Sequence, residues 1–191
     1  QLGGYRIHEL TLALEALGCR PPRFLGGAGR WRDSGMAGTP AARHPHAFVN
    51  ADPDEAVGAM VEVIRDVRPQ VLVAYDPEGG YGHPDHMQVH RLAGLAVDAA
   101  EDAARFGERG PAWSVDKMYW TVTGLHQLTA GLSDLGDIPP QWRMPVEGEL
   151  PSVPDDTITT SVDVRPVLDL KRLALRAHRT QVTVAESGRV Y

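Results

Sequence analysis

The feature that most restricts the fold is the apolar run Gln70-Val71-Leu72-Val73-Ala74-Tyr75, held between Pro69 and Asp76-Pro77. A continuous run this short, rich in β-branched and aromatic residues, reads as a strand buried on both faces of a parallel sheet. Parallel strands need long crossovers, usually helical. Both neighbours of the run supply helices. Upstream, Asp52, Pro53 and Glu55 mark a helix start, with a side-chain acceptor at the cap, a proline whose missing N–H is harmless there and a carboxylate placed to reach back. The stripe Val57, Met60, Val61, Ile64, Val67 carries that helix to Pro69. Downstream, Pro84 opens a helix through His86, Val89, Ala93 and Val97 toward Ala104.

Around this centre the same alternation continues. Ile7, Leu10, Leu14 and Leu17 stripe a helix from Tyr5 to Leu17, stopped by Gly18. Residues 23–25, 116–122 and 157–164 read as further strands, and Pro166 to Ala177 as a closing helix with Leu170, Leu173, Ala174 and Ala177 inward. The fold class is therefore α/β, a mostly parallel sheet wound by right-handed crossovers and flanked by helices. The proline-rich span from Ile138 to Pro154 is a long surface connection rather than a domain boundary. At 191 residues the chain makes one domain. Its start at Gln1 and its stop at Tyr191, inside a Gly- and Arg-containing stretch, read as the ends of an internal segment of a longer polypeptide.

Composition excludes several classes. With 19 Lys+Arg against 25 Asp+Glu the net charge is -6, and no basic cluster offers the phosphate contacts of a nucleic-acid binder. The single cysteine, Cys19, excludes an intrachain disulfide and a Cys-based zinc site and fits a cytoplasmic protein. No stretch approaches the ~18 apolar residues of a membrane span. No obligate protein partner is evident.

Open parallel sheets bind ligands beyond the carboxyl ends of their strands. Two glycine-rich segments fall there. One is the loop from Gly26 to Met36 after the first strand. The other, Asp76-Pro77-Glu78-Gly79-Gly80-Tyr81-Gly82-His83-Pro84-Asp85-His86, is dense in titratable groups. Imidazole and carboxylate are the ligands of catalytic zinc, but His83, Asp85 and His86 are too close in sequence for all to reach one ion. One division puts a histidine on the metal while the other, held by Asp85, moves protons. The alternative is that Asp85 merely caps the helix and both histidines are ordinary loop residues. His86 and His90 stand at i, i+4, a metal-compatible spacing, but a solvated His90 is the preferred reading. Asp76 supports the site or closes a turn, and His178 meets the end of the last helix.

Tyr81-Gly82-His83-Pro84-Asp85-His86 resembles the second zinc motif of the PIG-L/LmbE-like deacetylases. Gly26 to Met36 is similar to a loop of the branch that deacetylates N-acetylglucosaminyl-inositol in mycothiol biosynthesis, and the Ala177-His178-Arg179-Thr180-Gln181 segment extends the likeness to nearly the whole chain. The resemblance implies a single Rossmann-like LmbE domain over residues 1–191, one Zn2+ per subunit and a small amino-sugar substrate. It implies His86 as a metal ligand, His83 as the general acid, Asp85 as the group that orients His83 and Tyr81 as a donor to the oxyanion. Asp33 would bind sugar hydroxyls, with Arg32 and Met36 beside it on the substrate loop; solvated loop arginines at 30 and 32, and Met36 packing the loop down, are the alternatives. The family's first motif, of the Ala-His-Pro-Asp-Asp-Glu type, has no match here, so the remaining zinc ligands and the general base are expected upstream of Gln1 along with the first strand. Two other functions stay open: a mycothiol S-conjugate amidase, which typically carries Pro where Gly82 stands, and a non-catalytic sugar-binding relative.

Overall fold

The structure, a computed structural model, describes residues 2–136, 138, 140–185 and 190; Gln1, Tyr191 and Pro139 of the proline-rich connection lie outside them. The regular elements are α1 (Leu2–Ala16), α2 (Pro53–Val67), β1 (Val71–Tyr75), the single turn α3 (Gly79–Gly82), α4 (Pro84–Glu101), β2 (Lys117–Thr121), α5 (Leu125–Ser133) and α6 (Leu168–Ala177). They fall into two compact units, Leu25–Thr159 and the pairing of Gln1–Phe24 with Thr160–Tyr191.

In the larger unit β1 and β2 pair in parallel, from Val71 opposite Lys117 to Tyr75 opposite Thr121, with α4 in the crossover. This small open parallel sheet with flanking helices is the α/β arrangement expected from the alternation. Asp52 caps α2 by accepting the Glu55 N–H on Oδ1 at 2.9 Å, and Pro53 occupies the first turn. The Glu55 carboxylate does not reach back to the cap; it pairs with Arg30 instead. The core forms where Ala56, Val57, Val61 and Ile64 of α2 meet Leu92, Ala96, Ala99 and Ala100 of α4, with Leu72 packed against them. Alanine on α4 lets the two helices approach closely.

Arg65 shares the buried face of α2, at 2% exposure. Its guanidinium donates to six backbone carbonyls, those of Ala99, Ala100, Asp102, Arg105, Phe106 and Gly110, at 2.6–3.1 Å. The last turn of a helix leaves carbonyls without intrahelical donors, and its dipole favours a cation. One side chain thus satisfies the end of α4 and the turn beyond it.

Four further sequence expectations are corrected. Residues 23–25 form no strand: Pro21 and Pro22 offer no N–H, and no neighbouring strand pairs with them among the described residues. Residues 157–164 are likewise unpaired, and Asp155–Thr157 closes as a 3-10 turn. β1 is covered on one face only. Ala74 is buried and Leu72 half-buried toward the helices, whereas Val71, Val73 and Tyr75 are exposed. In α6, Ala174 is buried as expected but Leu170 and Leu173 are exposed.

In the smaller unit α1 packs on α6. Glu9, on the covered face of α1, is almost fully buried and accepts the Thr180 N–H and hydroxyl, each at 2.7 Å. Burial pushes the Glu9 carboxyl up, but hydrogen bonds from Thr180 and Gln181 and the nearby His178 together hold it below the usual range. His178, just past α6, is engaged by the Gln181 amide. Among the described residues no helix is long and apolar enough to cross a membrane.

Removing Arg65 strands several buried carbonyls at once. Arg65→Met is expected to lower the unfolding free energy by about 3–5 kcal/mol in urea titration. A loss under about 1 kcal/mol would show that the carbonyls find other donors.

Candidate active site

The site is built at the carboxyl end of β1. The chain leaves Tyr75 and turns at once, because Asp76 accepts the Gly79 N–H on its backbone oxygen at 3.0 Å and the Gly80 N–H on Oδ1 at 2.6 Å. Asp76 therefore closes the turn. Gly79 has φ +62°, and a Cβ there would lie 2.8 Å from Met87 N and 2.9 Å from His86 Cβ, so only glycine lets this backbone approach the first turn of α4.

The two histidines of the turn face opposite chemical demands. His83, not Asp85, is the N-cap of α4, its Nδ1 accepting the Asp85 N–H at 3.2 Å. An acceptor at Nδ1 puts the proton of the neutral ring on Nε2, making that nitrogen a donor. His86 is the reverse. Its Nδ1 lies 3.1 Å from the Gly79 carbonyl, and a carbonyl only accepts, so Nδ1 carries the proton and Nε2 presents a bare lone pair. The rings are 4.7 Å apart, and the Tyr81 ring stands edge-on to both, at 5.9 Å from His83 and 5.3 Å from His86.

Ser34 ties the Gly26 to Met36 loop to this turn. Fully buried, it donates its N–H to Asp85 Oδ2 at 2.9 Å and accepts the Val49 N–H on Oγ at 3.1 Å. The loop's base is held by the Arg30–Glu55 pair and by Arg30 lying over Trp31. Asp33 is thereby carried to His83 and Asp85, one ligand atom from each lying within 4.8 Å of the others. Asp85 Oδ1 is buried without a hydrogen-bond partner. Such an orphaned carboxylate oxygen beside an imidazole and a second carboxylate fits a divalent cation or a polar ligand hydrogen.

Asp33, Tyr81, His83, Asp85 and His86 are thus drawn together from two segments about fifty residues apart. Arg32 and Met36 are exposed on the same loop, and no side-chain hydrogen bond ties either to the cluster. Arg32 acts through its backbone, which bridges to Ala47. His90 is not simply solvated, since its Nδ1 lies 3.0 Å from the Tyr75 carbonyl. A cavity of about 360 Å³ opens beside the cluster, walled by Tyr75, Glu78, Tyr81, His86, Thr121 and Val153. Sequence reasoning missed Ser34 and Tyr75; a serine followed by Gly35 in a polar loop carries no mark of burial.

Ser34→Ala leaves the Val49 N–H unsatisfied and is expected to cost about 1–3 kcal/mol of stability. Urea titration measures it, and an unchanged midpoint would show that the Val49 N–H finds another acceptor.

The family described as "PIG-L: GlcNAc-PI de-N-acetylase" matches residues 1–97. A Rhodococcus opacus protein is 63% identical over 191 residues, covering 100% of this chain and 65% of that protein. A Rhodococcus jostii protein is 60% identical over the same length, with the same coverage. One from Tsukamurella paurometabola is 50% identical over 201 residues, covering 100% of this chain and 67% of that protein. All three are named 1D-myo-inositol 2-acetamido-2-deoxy-alpha-D-glucopyranoside deacetylase. The chain spans about 65% of the length of the first two. With a family match over more than half its length and identity running from end to end, this chain belongs to the PIG-L family.

Proposed function

We propose that the protein containing this chain is a zinc-dependent deacetylase that hydrolyses the acetamide of N-acetylglucosaminyl-inositol, releasing acetate and glucosaminyl-inositol in mycothiol biosynthesis. The observation that carries the reading is the opposed pair of imidazoles, one with a bare Nε2 and one with an Nε2–H, beside a ring hydroxyl and two carboxylates. The names borne by the relatives supply the substrate. A cytoplasmic place of action agrees with the free, exposed thiol of Cys19.

The residues fit zinc. His86 would hold it through Nε2, with its other nitrogen bonded to a carbonyl as metal-bound histidines commonly are. Catalytic zinc takes three protein ligands; the others would come from the full-length protein. When bound, the metal supplies a water acidified toward neutral pH and positive charge near the scissile carbonyl. Tyr81, exposed at the cavity, offers a hydroxyl donor to the oxygen on which charge develops. In its neutral tautomer His83 presents Nε2–H toward the leaving amine; the imidazolium, formed by uptake of a second proton from solvent, is the acid that protonates the amine and returns to the neutral ring, and without that proton so basic a group does not depart. Asp85 keeps His83 in that tautomer through its backbone N–H, while its carboxylate is pinned by Ser34. Asp33, exposed beside His83 and Asp85, accepts hydrogen bonds from hydroxyls of the sugar ring.

A second reading has one observation in its favour: the orphaned Asp85 Oδ1 sits in the Asp33–His83–Asp85 group, which itself offers three metal-binding atoms. Metal analysis and steady-state kinetics on the full-length protein separate the two. His86→Ala is expected to lose the metal, while His83→Ala keeps it and turns over ~10²- to 10⁴-fold more slowly. Asp33→Ala is expected to lose ~1.5 to 3 kcal/mol of catalytic efficiency on the inositol-bearing substrate with metal unchanged. Metal lost from His83→Ala and kept by His86→Ala would move the ion to the second group. A wild-type preference for a mycothiol S-conjugate would make the protein the related amidase.

A further inference from the structure

We propose that Tyr75 is a positioning residue of the metal site, its ring serving as a flat rest that sets the plane of His86 before a metal arrives. The inference rests on the reading that His86 is a metal ligand.

The Tyr75 and His86 rings lie face to face, 3.9 Å between centroids and 3° from parallel. A histidine in the first turn of a helix has two side-chain torsions to fix. The Nδ1–H···O=C bond to Gly79 selects the tautomer and the sense of the ring. One hydrogen bond, however, leaves the ring free to tilt about the line joining the two atoms. A parallel ring against its face removes that tilt. The two contacts together leave Nε2 with one direction, and a ligand atom already aimed loses less freedom on coordination.

Tyr75 is itself held where this role requires. As the last residue of β1 it is paired opposite Thr121. Its carbonyl meets Nδ1 of His90 at 3.0 Å, one helical turn beyond His86, and His90 is covered by the edge of Trp120 at 4.9 Å. Both histidines of the i, i+4 pair therefore close on one tyrosine, the first on its ring and the second on its backbone. That accounts for a spacing which in the bare sequence resembles a pair of metal ligands. Gly79 completes the device, because any Cβ at that position would drive into His86 Cβ and Met87 N and move the carbonyl away from the ring.

The test compares Tyr75→Phe with Tyr75→Leu in the full-length protein, reading zinc affinity by competition with a chelating dye and the electronic spectrum of the cobalt-substituted form. Phenylalanine keeps the flat face, so affinity within about threefold of wild type and an unchanged cobalt spectrum are expected. Leucine removes it, so affinity is expected to fall by ~10- to 100-fold, the range for losing a group that orients a ligand, with an altered spectrum. Should Tyr75→Leu fail to fold, His90→Ala frees the Tyr75 carbonyl from the helix and is expected to weaken zinc severalfold. Wild-type protein that holds zinc through His86 with the leucine variant, or the alanine variant in its place, equally tight would overturn the positioning role. Equal loss in the phenylalanine and leucine variants would overturn it too, by assigning the effect to the hydroxyl. Zinc held by wild type independently of His86 would instead overturn the reading on which the inference rests.

Discussion

A buried guanidinium that has no carboxylate partner among the described residues is the constraint on which the larger unit depends. Arg65 projects from α2 into the end of α4, and its partners among the described residues are backbone carbonyls. Desolvating a cation is unfavourable by several kcal/mol unless every donor finds an acceptor. The arrangement therefore holds only if the end of α4 and the turn through Gly110 sit in one place. The alanine-lined face between the two helices then determines the course of α4 back to its first turn. That first turn carries His83, Asp85 and His86. A charge at one end of the helix thus helps place the chemistry at the other.

At the site itself the backbone, rather than neighbouring side chains, assigns the roles. His83 and His86 are three residues apart, yet one ring nitrogen meets an N–H and the other a C=O. The difference comes from position: His83 precedes the helix and caps it, whereas His86 lies inside it and faces back to the glycine turn. Two chemically identical rings come to present an N–H at one Nε2 and a bare lone pair at the other. Glycine at 79 is what brings the carbonyl close enough to do this.

Much of this was legible in the sequence. The apolar run at 71–75, the Asp52-Pro53 helix start and the crowded turn after Asp76 are local signals, and each corresponds to an element or a turn in the fold. The candidate site was legible as a list of residue types, since a dense set of histidines and carboxylates beyond a strand has few other uses. What could not be read depends on partners distant in the chain. Residues 23–25 and 157–164 carry strand-like patterns, but a strand exists only where a neighbour pairs with it. α5 goes unread because Leu125, Leu128 and Leu132 stripe too short a helix to stand out. Arg65 looks like any charged residue on a helix, and nothing near it announces six carbonyls from forty residues away. Ser34 and Tyr75 owe their importance to Asp85 and His86, contacts made only once the chain is folded.

The fold gives His83 and His86 opposite tautomers, a division that the proposed function uses to separate proton donation from metal binding. Long-range proton–nitrogen correlation spectra of the imidazoles in metal-free, full-length protein, recorded above the titration range of histidine, read that division directly. The account predicts His86 protonated at Nδ1 with a bare Nε2, and His83 protonated at Nε2 with a bare Nδ1. The same tautomer at both positions, or the two exchanged, would contradict it.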